Sequence, residues 1–305
     1  MRVLLTGASG FLGRRLGAAL VARGDDVVGV CVDHHGVPRG VDFHHVDVRD
    51  RARVAEIVAE VDPGVVIHLA ALSHVGESWL RMPEYFSVNV LGTENVVEAA
   101  RGRRLLFASS AEVYGAVPEP EQPIAESREL APRSPYALTK AAGERLVLAA
   151  GGVVARCFNL VGAGQAPTFA LPSFAAQLAA IAAGRVPPVL KVGNLGARRD
   201  FVHVDDGADG LARLAERGES GAVYNLAGGE AFSIAEALER LIGVAGLAVA
   251  VEEDPQRLRP IDVPLLAGDA TRLRALGWSP RRGLDVALAE LWAAARAGVE
   301  AQASA

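Results

Sequence analysis

The sequence has little that would tie it to an oxidising compartment, a metal or a membrane. Only two of its 305 residues are cysteine, Cys31 and Cys157. Both fall in apolar runs that read as buried strands, which leaves neither a disulfide framework nor a metal-ligand spacing. A reducing cytoplasm is the expected compartment. The seven histidines are His34, His35, His44, His45, His68, His74 and His203. None is spaced as H-x-x-x-H or H-E-x-x-H, so no zinc site is expected, and the adjacent pairs read as loop or strand-end residues. Half of the chain is hydrophobic, but much of that half is alanine, and no apolar stretch approaches the roughly 18 residues of a membrane span. Val3-Leu4-Leu5 behind Arg2 faintly resembles a signal peptide. Gly7, Gly10 and Gly13 break it, so a buried strand is the better reading. Positive charge is also in short supply. Lys and Arg number 31 against 36 Asp and Glu, which gives a net charge of −5. That excludes a basic field for nucleic acid and a polybasic membrane patch.

What is present alternates between strand and helix. A length of 305 residues fits two domains or one large α/β unit. Residues 2–6 read as a short buried strand. Thr6-Gly7-Ala8-Ser9-Gly10-Phe11-Leu12-Gly13 follows, then a helical pattern to Gly24. A strand, a glycine turn and a helix form the context in which G-x-x-G-x-x-G binds a pyrophosphate. Small residues let the backbone approach, and the helix N-terminus offers free N–H groups. Gly7, Gly10, Phe11, Leu12 and Gly13 are the candidate contacts. The alternative is a tight turn without a ligand. The next strand, Val27–Val32, ends in Asp33, 20 residues after Gly13. A carboxylate there accepts from a ribose hydroxyl and repels a 2′-phosphate, which favours NAD over NADP without excluding NADP.

Residues 42–46 read as a third strand. Asp47, with Val48, could meet an adenine amino group or cap the helix starting near Arg51. Val65–Leu69 is a fully buried parallel strand. Ala70 and Ala71 leave it as small residues suited to a cofactor passing close by, Leu69 at the strand end is a further candidate contact, and Ser73 follows. A long helix is expected over 84–100, containing Asn89. The strand at 105–108 ends in Ser109-Ser110-Ala111-Glu112, where strand ends face the binding crevice. A Pro- and Glu-rich loop leads to Ser134-Pro135-Tyr136-Ala137-Leu138-Thr139-Lys140. Ser134 suits an N-cap and Pro135 the first helical position. Tyr136 and Lys140 then share a face, and the ammonium is expected to lower the phenol's pKa. The same spacing arises on any amphipathic helix. Residues 153–158 form a sixth strand, ending in Asn159.

These elements predict an α/β fold: a Rossmann-type doubly wound parallel sheet with helices on both faces. After Asn159 the pattern changes. A glycine- and proline-rich loop, a helix over 173–183, a strand near Val189–Val192, strand-like Val223–Leu226 and helices over 233–243 and 284–295 suggest a smaller mixed domain. The expected division is 1–160 for a dinucleotide-binding domain and 161–305 for a substrate domain, with elements in about 200–228 returning to the first.

Taken together, TGASGFLG, Asp33, Leu69-Ala70-Ala71, SSAEVYG at 109–115 and YALTK at 136–140 resemble the extended short-chain dehydrogenase/reductases that act on nucleotide sugars. The likeness covers essentially the whole chain. FNLVGAGQ at 158–165, VGNLGARRDFVHVDD at 192–206 and RLRPIDVPLLAGD at 257–269 are similar to the GDP-mannose branch, which holds 4,6-dehydratases and 4-keto-6-deoxy-mannose reductases. The resemblance implies Tyr136 as general acid/base, Lys140 on the nicotinamide ribose, and Ser110 at the sugar 4-oxygen. Glu112 stands where dehydratases keep their C5 base. Asn159 is implied near the sugar diphosphate, with Arg199 and Arg259 paired to that diphosphate. Ser73, Val192 and Asn194 are further candidate substrate contacts. Ala111 departs from dehydratases that carry an acid or a hydroxyl there. A 4-keto reductase of a GDP-linked sugar is therefore the leading expectation. A 4,6-dehydratase, a 4-epimerase and a non-catalytic NAD sensor are the alternatives. The resemblance also implies a homodimer, or a tetramer, through residues 84–100 and 135–150.

Overall fold

The structure is a computed structural model and describes residues 1–33, 35–258 and 262–303. The first half runs β1 (Arg2–Thr6), α1 (Phe11–Ala22), β2 (Asp26–Cys31), β3 (Val41–His45), α2 (Arg51–Val61), β4 (Val65–His68), α3 (Val75–Leu80), α4 (Met82–Phe86), α5 (Gly92–Ala99), β5 (Arg104–Ser110), α6 (Pro135–Ala149) and β6 (Val153–Cys157). The second half runs β7 (Asn159–Val161), α7 (Ala170–Ala182), β8 (Val189–Val192), β9 (Arg198–His203), α8 (Val204–Arg217), β10 (Val223–Leu226), β11 (Ala231–Ser233), α9 (Ile234–Ala245), β12 (Ala250–Glu253), β13 (Leu265–Leu266), α10 (Thr271–Ala275) and α11 (Leu284–Ala303).

Seven strands form one sheet in the order β3-β2-β1-β4-β5-β6-β10, and every pair in it is parallel. Val3 lies opposite both Val27 and Val65, so β1 is an interior strand next to the central β4. The chain goes outward from β1 to β3, then returns to β4 on the other side. That reversal opens a crevice at the carboxyl ends of β1 and β4. Both sheet faces are covered, so the strands are apolar at successive positions. Leu5 and Ile67 join a core on one face with Leu16, Leu20 and Leu211. Leu4 and Val66 join the core on the other face with Ile57, Val96 and Phe107. Removing one such leucine to alanine costs about 2–5 kcal/mol.

A separate core gathers Phe174, Leu178, Leu190, Leu238, Leu241 and Leu288 from α7, β8, α9 and α11. β9 links it to the main sheet region, pairing with β7, β11 and β13. Asp200 on β9 is fully buried and accepts from the N–H groups of Gly228 and Gly229 at 2.7 and 2.8 Å. It thereby fastens the loop after β10. Burial raises its pKa to about 6, although three backbone donors oppose that shift.

Two expected helices differ in detail. The helix expected over 84–100 is α4 and α5 joined by a π-helical turn, Ser87–Leu91. Asn89 explains the irregularity. Its amide donates to Leu72 O at 2.9 Å and accepts from Leu72 N–H at 2.8 Å. The widened turn lets that side chain reach the segment leaving β4. The helix expected from residue 173 begins at Ala170, three residues earlier.

Candidate active site

The glycine turn comes first. Gly7 has φ +73°, and a Cβ there would stand 2.8 Å from Ala70 N. At Gly13 a Cβ would lie 2.0 Å from Gly7 O. Side chains are thus barred from the turn, which holds itself by a Gly10 N–H···O Gly7 bond of 3.0 Å. Gly10 caps α1 without a side-chain bond, leaving first-turn N–H groups for an anion. A cavity of about 420 Å³ opens against the turn, lined by Gly7, Gly10, Phe11, Leu12 and Gly13, by Leu69 and Ala71, and by Ser110, Glu112, Tyr136 and Lys140. Backbone too close for side chains, a bare helix start and a cavity of this shape fit a dinucleotide.

The other cofactor candidates stand apart from that wall. Ala70 is held by its N–H to Thr6 Oγ1 at 3.2 Å. Asp33 follows β2 at the same sheet edge and accepts from the His35 N–H at 2.9 Å. Asp47 caps no helix. Its carboxylate grips the Arg49 guanidinium at 2.6 Å, and that hydrogen bond holds it below the usual carboxylate range. Asp50 is the actual cap of α2, accepting from Arg53 N–H at 3.1 Å. Val48 is buried in the core, and its carbonyl accepts from Asn95. Its side chain therefore does not line the cavity.

The chemistry gathers on α6. Ser134 Oγ accepts from the Ala137 N–H at 3.1 Å, and Pro135 opens the helix. This fixes Tyr136 in the first turn. Tyr136 is buried, with Ser110 beside it on the same cavity wall. The expected lowering of its pKa is overturned. Burial dominates and pushes the phenol up, and the nearby Ser110 side chain only partly opposes it. The cation is aimed elsewhere: Lys140 Nζ lies 4.5 Å from the centroid of the Phe107 ring. Burial lowers Lys140 itself to about 8, so it remains largely protonated at neutral pH. The neighbouring Cys157 thiol is pushed up by burial to about 12 and is inert.

Behind this pair runs a buried hydrogen-bond chain. Thr6 Oγ1 and His68 Nδ1 are 2.6 Å apart, and His68 Nε2 meets Thr93 Oγ1 at 2.9 Å. Thr93 donates to Asn89 O, Asn89 Nδ2 donates to Thr139 Oγ1, and Thr139 donates to Tyr136 O. Burial lowers His68 to about 3, so it stays neutral and serves as a strut. Ser110 ends β5, where its Oγ accepts from the Glu112 N–H at 3.3 Å. Ala111 is buried beside it and carries no proton.

A second cavity, about 570 Å³, shares Asn159, Leu160, Gln165 and Phe169 with the first. Asn159 lines both, Ser73 lines the first, and Asn194 and Arg199 line the second. Arg199 is buried, donating to Asp262 at 2.7 Å and to the Val263 carbonyl at 2.7 Å. Asn194 Nδ2 donates to the same carboxylate at 2.8 Å. Val192 does not line either cavity: it points into the core around β8. Arg259 lies outside the described residues. Sequence reasoning missed His74, Trp79, Gln165, Phe169 and Arg257, which also line the second cavity. The glycine- and proline-rich stretch 162–172 was the available signal for Gln165 and Phe169, because loops of that composition follow strands at crevices. Arg257 opens the stretch RLRPIDVPLLAGD, whereas His74 and Trp79 carry no local motif.

A parallel sheet with a bare glycine turn, a strand-end serine and a buried Tyr–Lys pair on one cavity define a Rossmann-type, dinucleotide-dependent enzyme. The model of the NAD dependent epimerase/dehydratase family matches residues 3–227, and the chain belongs to that family. It is 34% identical to a GDP-6-deoxy-D-mannose reductase of Pseudomonas aeruginosa, with 92% of each chain covered. Among solved structures, RMD from Pseudomonas aeruginosa complexed with NADPH is similar at a TM-score of 0.85 and 32% identity, covering 98% of this chain and 100% of that one. The Thermus thermophilus UDP-glucose 4-epimerase in complex with NAD is similar at a TM-score of 0.88 and 33% identity, covering 97% and 99%. Among the described residues, no helix is long and apolar enough to cross a membrane.

Proposed function

We propose that the protein is an NAD(P)H-dependent reductase of nucleotide-linked 4-keto sugars, acting on a GDP-4-keto-6-deoxyhexose. The observation that carries this reading is the buried Tyr136 phenol beside Ser110 and Lys140 on the wall of the dinucleotide cavity. Burial keeps the phenol protonated, which is the form a reductase needs at the start of turnover. When bound, the dinucleotide supplies the hydride. Tyr136 gives its proton to the developing C4 alkoxide, and Ser110 holds that oxygen. Lys140 holds the nicotinamide ribose as a cation. Residues 1–160 carry the cofactor, and 161–305 supply most substrate contacts: Asn159 lies at the junction, and Asn194 and Arg199 line the sugar-nucleotide side. An arginine fork suits a diphosphate. The GDP-6-deoxy-D-mannose reductase relative supports the GDP-linked ketone.

A homodimer is part of the reading. Met82, Phe86, Leu91 and Leu138 expose apolar side chains on α4, the π turn and α6, which pack side by side. A second reading, 4-epimerase, is favoured by the similarity to UDP-glucose 4-epimerases, and Glu112 keeps a dehydratase in view. One assay separates them. With GDP-4-keto-6-deoxy-D-mannose and NADH or NADPH, reduced cofactor should be consumed one-for-one with sugar. GDP-mannose or UDP-glucose alone should remain unchanged. Conversion of either without added reductant overturns the proposal.

A further inference from the structure

A buried cluster of charged and polar side chains lies behind Lys140, and its ion pair, Glu144 with Arg156, lines neither cavity. Tyr136, Lys140 and Glu144 are one helical turn apart on α6, and all three are buried. The Glu144 carboxylate is held from two strands. Arg156 on β6 donates to it through Nε at 3.0 Å and Nη2 at 2.8 Å. Ser109 on β5, the residue before Ser110, donates its hydroxyl to the same carboxylate. Arg156 is anchored in turn by Tyr114 Oη at 2.9 Å and the Glu126 carbonyl at 3.0 Å. A buried ion pair contributes little net stability over a packed apolar pair, so its place here calls for another role.

We infer that Glu144 is a positioning residue of the site: its fixed carboxylate is the counter-charge one turn behind Lys140, and it ties the helix of Tyr136 to the strand end of Ser110. The inference rests on the proposed contact of Lys140 with the cofactor. The groups that act on Lys140 are the Phe107 ring from β5, His68 from β4, Cys157 from β6 and Glu144 on its own helix, while Ser109, Glu112 and Tyr136 share its cavity wall. His68 is neutral, and burial keeps the Cys157 thiol and the Tyr136 phenol protonated, so Glu144 is the anion that acts on Lys140. Its charge opposes the burial that drives the Lys140 proton off. Without it, Lys140 becomes neutral at lower pH and loses its hold on the ribose.

The test is the affinity for NADH and NADPH, read by nucleotide fluorescence from about pH 6 to about pH 10. In the wild-type chain, binding should weaken as pH rises through about 8. In Glu144→Gln that limb should move down by about one pH unit, a loss of about tenfold in affinity on the slope. Glu144→Asp keeps the charge and should hold the limb within about 0.3 unit. Lys140→Met should bind weakly at every pH and show no limb. A limb seen in wild type, absent in Lys140→Met and unmoved in Glu144→Gln overturns the inference alone. Undiminished binding by Lys140→Met removes the proposed role of Lys140, and the inference falls with it. If Glu144→Gln does not fold, Glu144→Gln/Arg156→Met, which buries no lone charge, carries the test. A downward shift of about half a unit or more supports the inference, and an unmoved limb overturns it. A wild-type limb below about pH 7 overturns it whatever the variants do.

Discussion

Tyr136 shows how burial and charge compete at a single residue. A lysine four positions away suggests a depressed phenol, but the pair's alignment on the helix does not place the ammonium against the hydroxyl. Lys140 leans over Phe107, and loss of solvent sets the phenol's proton affinity. Replacing Tyr136 with Phe should cut turnover by about 10²–10⁴ while cofactor affinity stays within about twofold, read by steady-state rates and nucleotide fluorescence. At the other end of the cavity, Asp33 should discriminate against a 2′-phosphate. Asp33→Asn should tighten NADPH by about tenfold and leave NADH nearly unchanged, measured by fluorescence titration. Equal gains for both cofactors would remove that role. Residues announced by a local motif were legible in the sequence: the glycine turn, Ser110, Tyr136 and Lys140 all reach one cavity wall. An acid at a strand end has more than one partner within reach: Asp50, not Asp47, caps α2, and the Asp47 carboxylate holds Arg49. Val192 was misplaced because strand position alone does not say which face meets the core.

Elements were read mainly through their punctuation. Ser134 and Pro135 announced α6, and Ser134 does cap it. That cap also sets where Tyr136 stands. Ser134→Ala should cost about 1 kcal/mol in chemical denaturation and lower kcat severalfold, since the first turn carries the proton donor. A change in stability with unaltered kcat would show that the turn holds itself without the cap. The π turn at Ser87–Leu91 was not legible, because nothing local distinguishes it from a continuous helix. It exists because Asn89 satisfies both backbone groups of Leu72, a partner supplied by the fold. The short strands β7, β9, β11 and β13 escaped for the same reason. Each is two to six residues long and is defined by its neighbours more than by its own pattern.

For the molecule as a whole, the repeated βα pattern was enough to give a parallel doubly wound sheet, because right-handed crossovers leave few alternatives. The C-terminal part was harder to read. Its core draws on α7, β8, α9 and α11, which are far apart in sequence. The exposed apolar residues of α4, the π turn and α6 lead to an expectation at this scale too. Sedimentation should find a dimer, and Leu91→Asp with Leu138→Asp should dissociate it without unfolding the chain. A monomeric wild type would contradict that assembly.

The most direct measurement of the proposed chemistry follows one atom. The protein would be given GDP-4-keto-6-deoxy-D-mannose with reduced cofactor deuterated at both nicotinamide C4 positions, and the product sugar examined by NMR. A reductase with Tyr136 as proton donor leaves about one deuterium on each sugar, at C4, and none elsewhere. A product without deuterium, or with deuterium at C6, would contradict it.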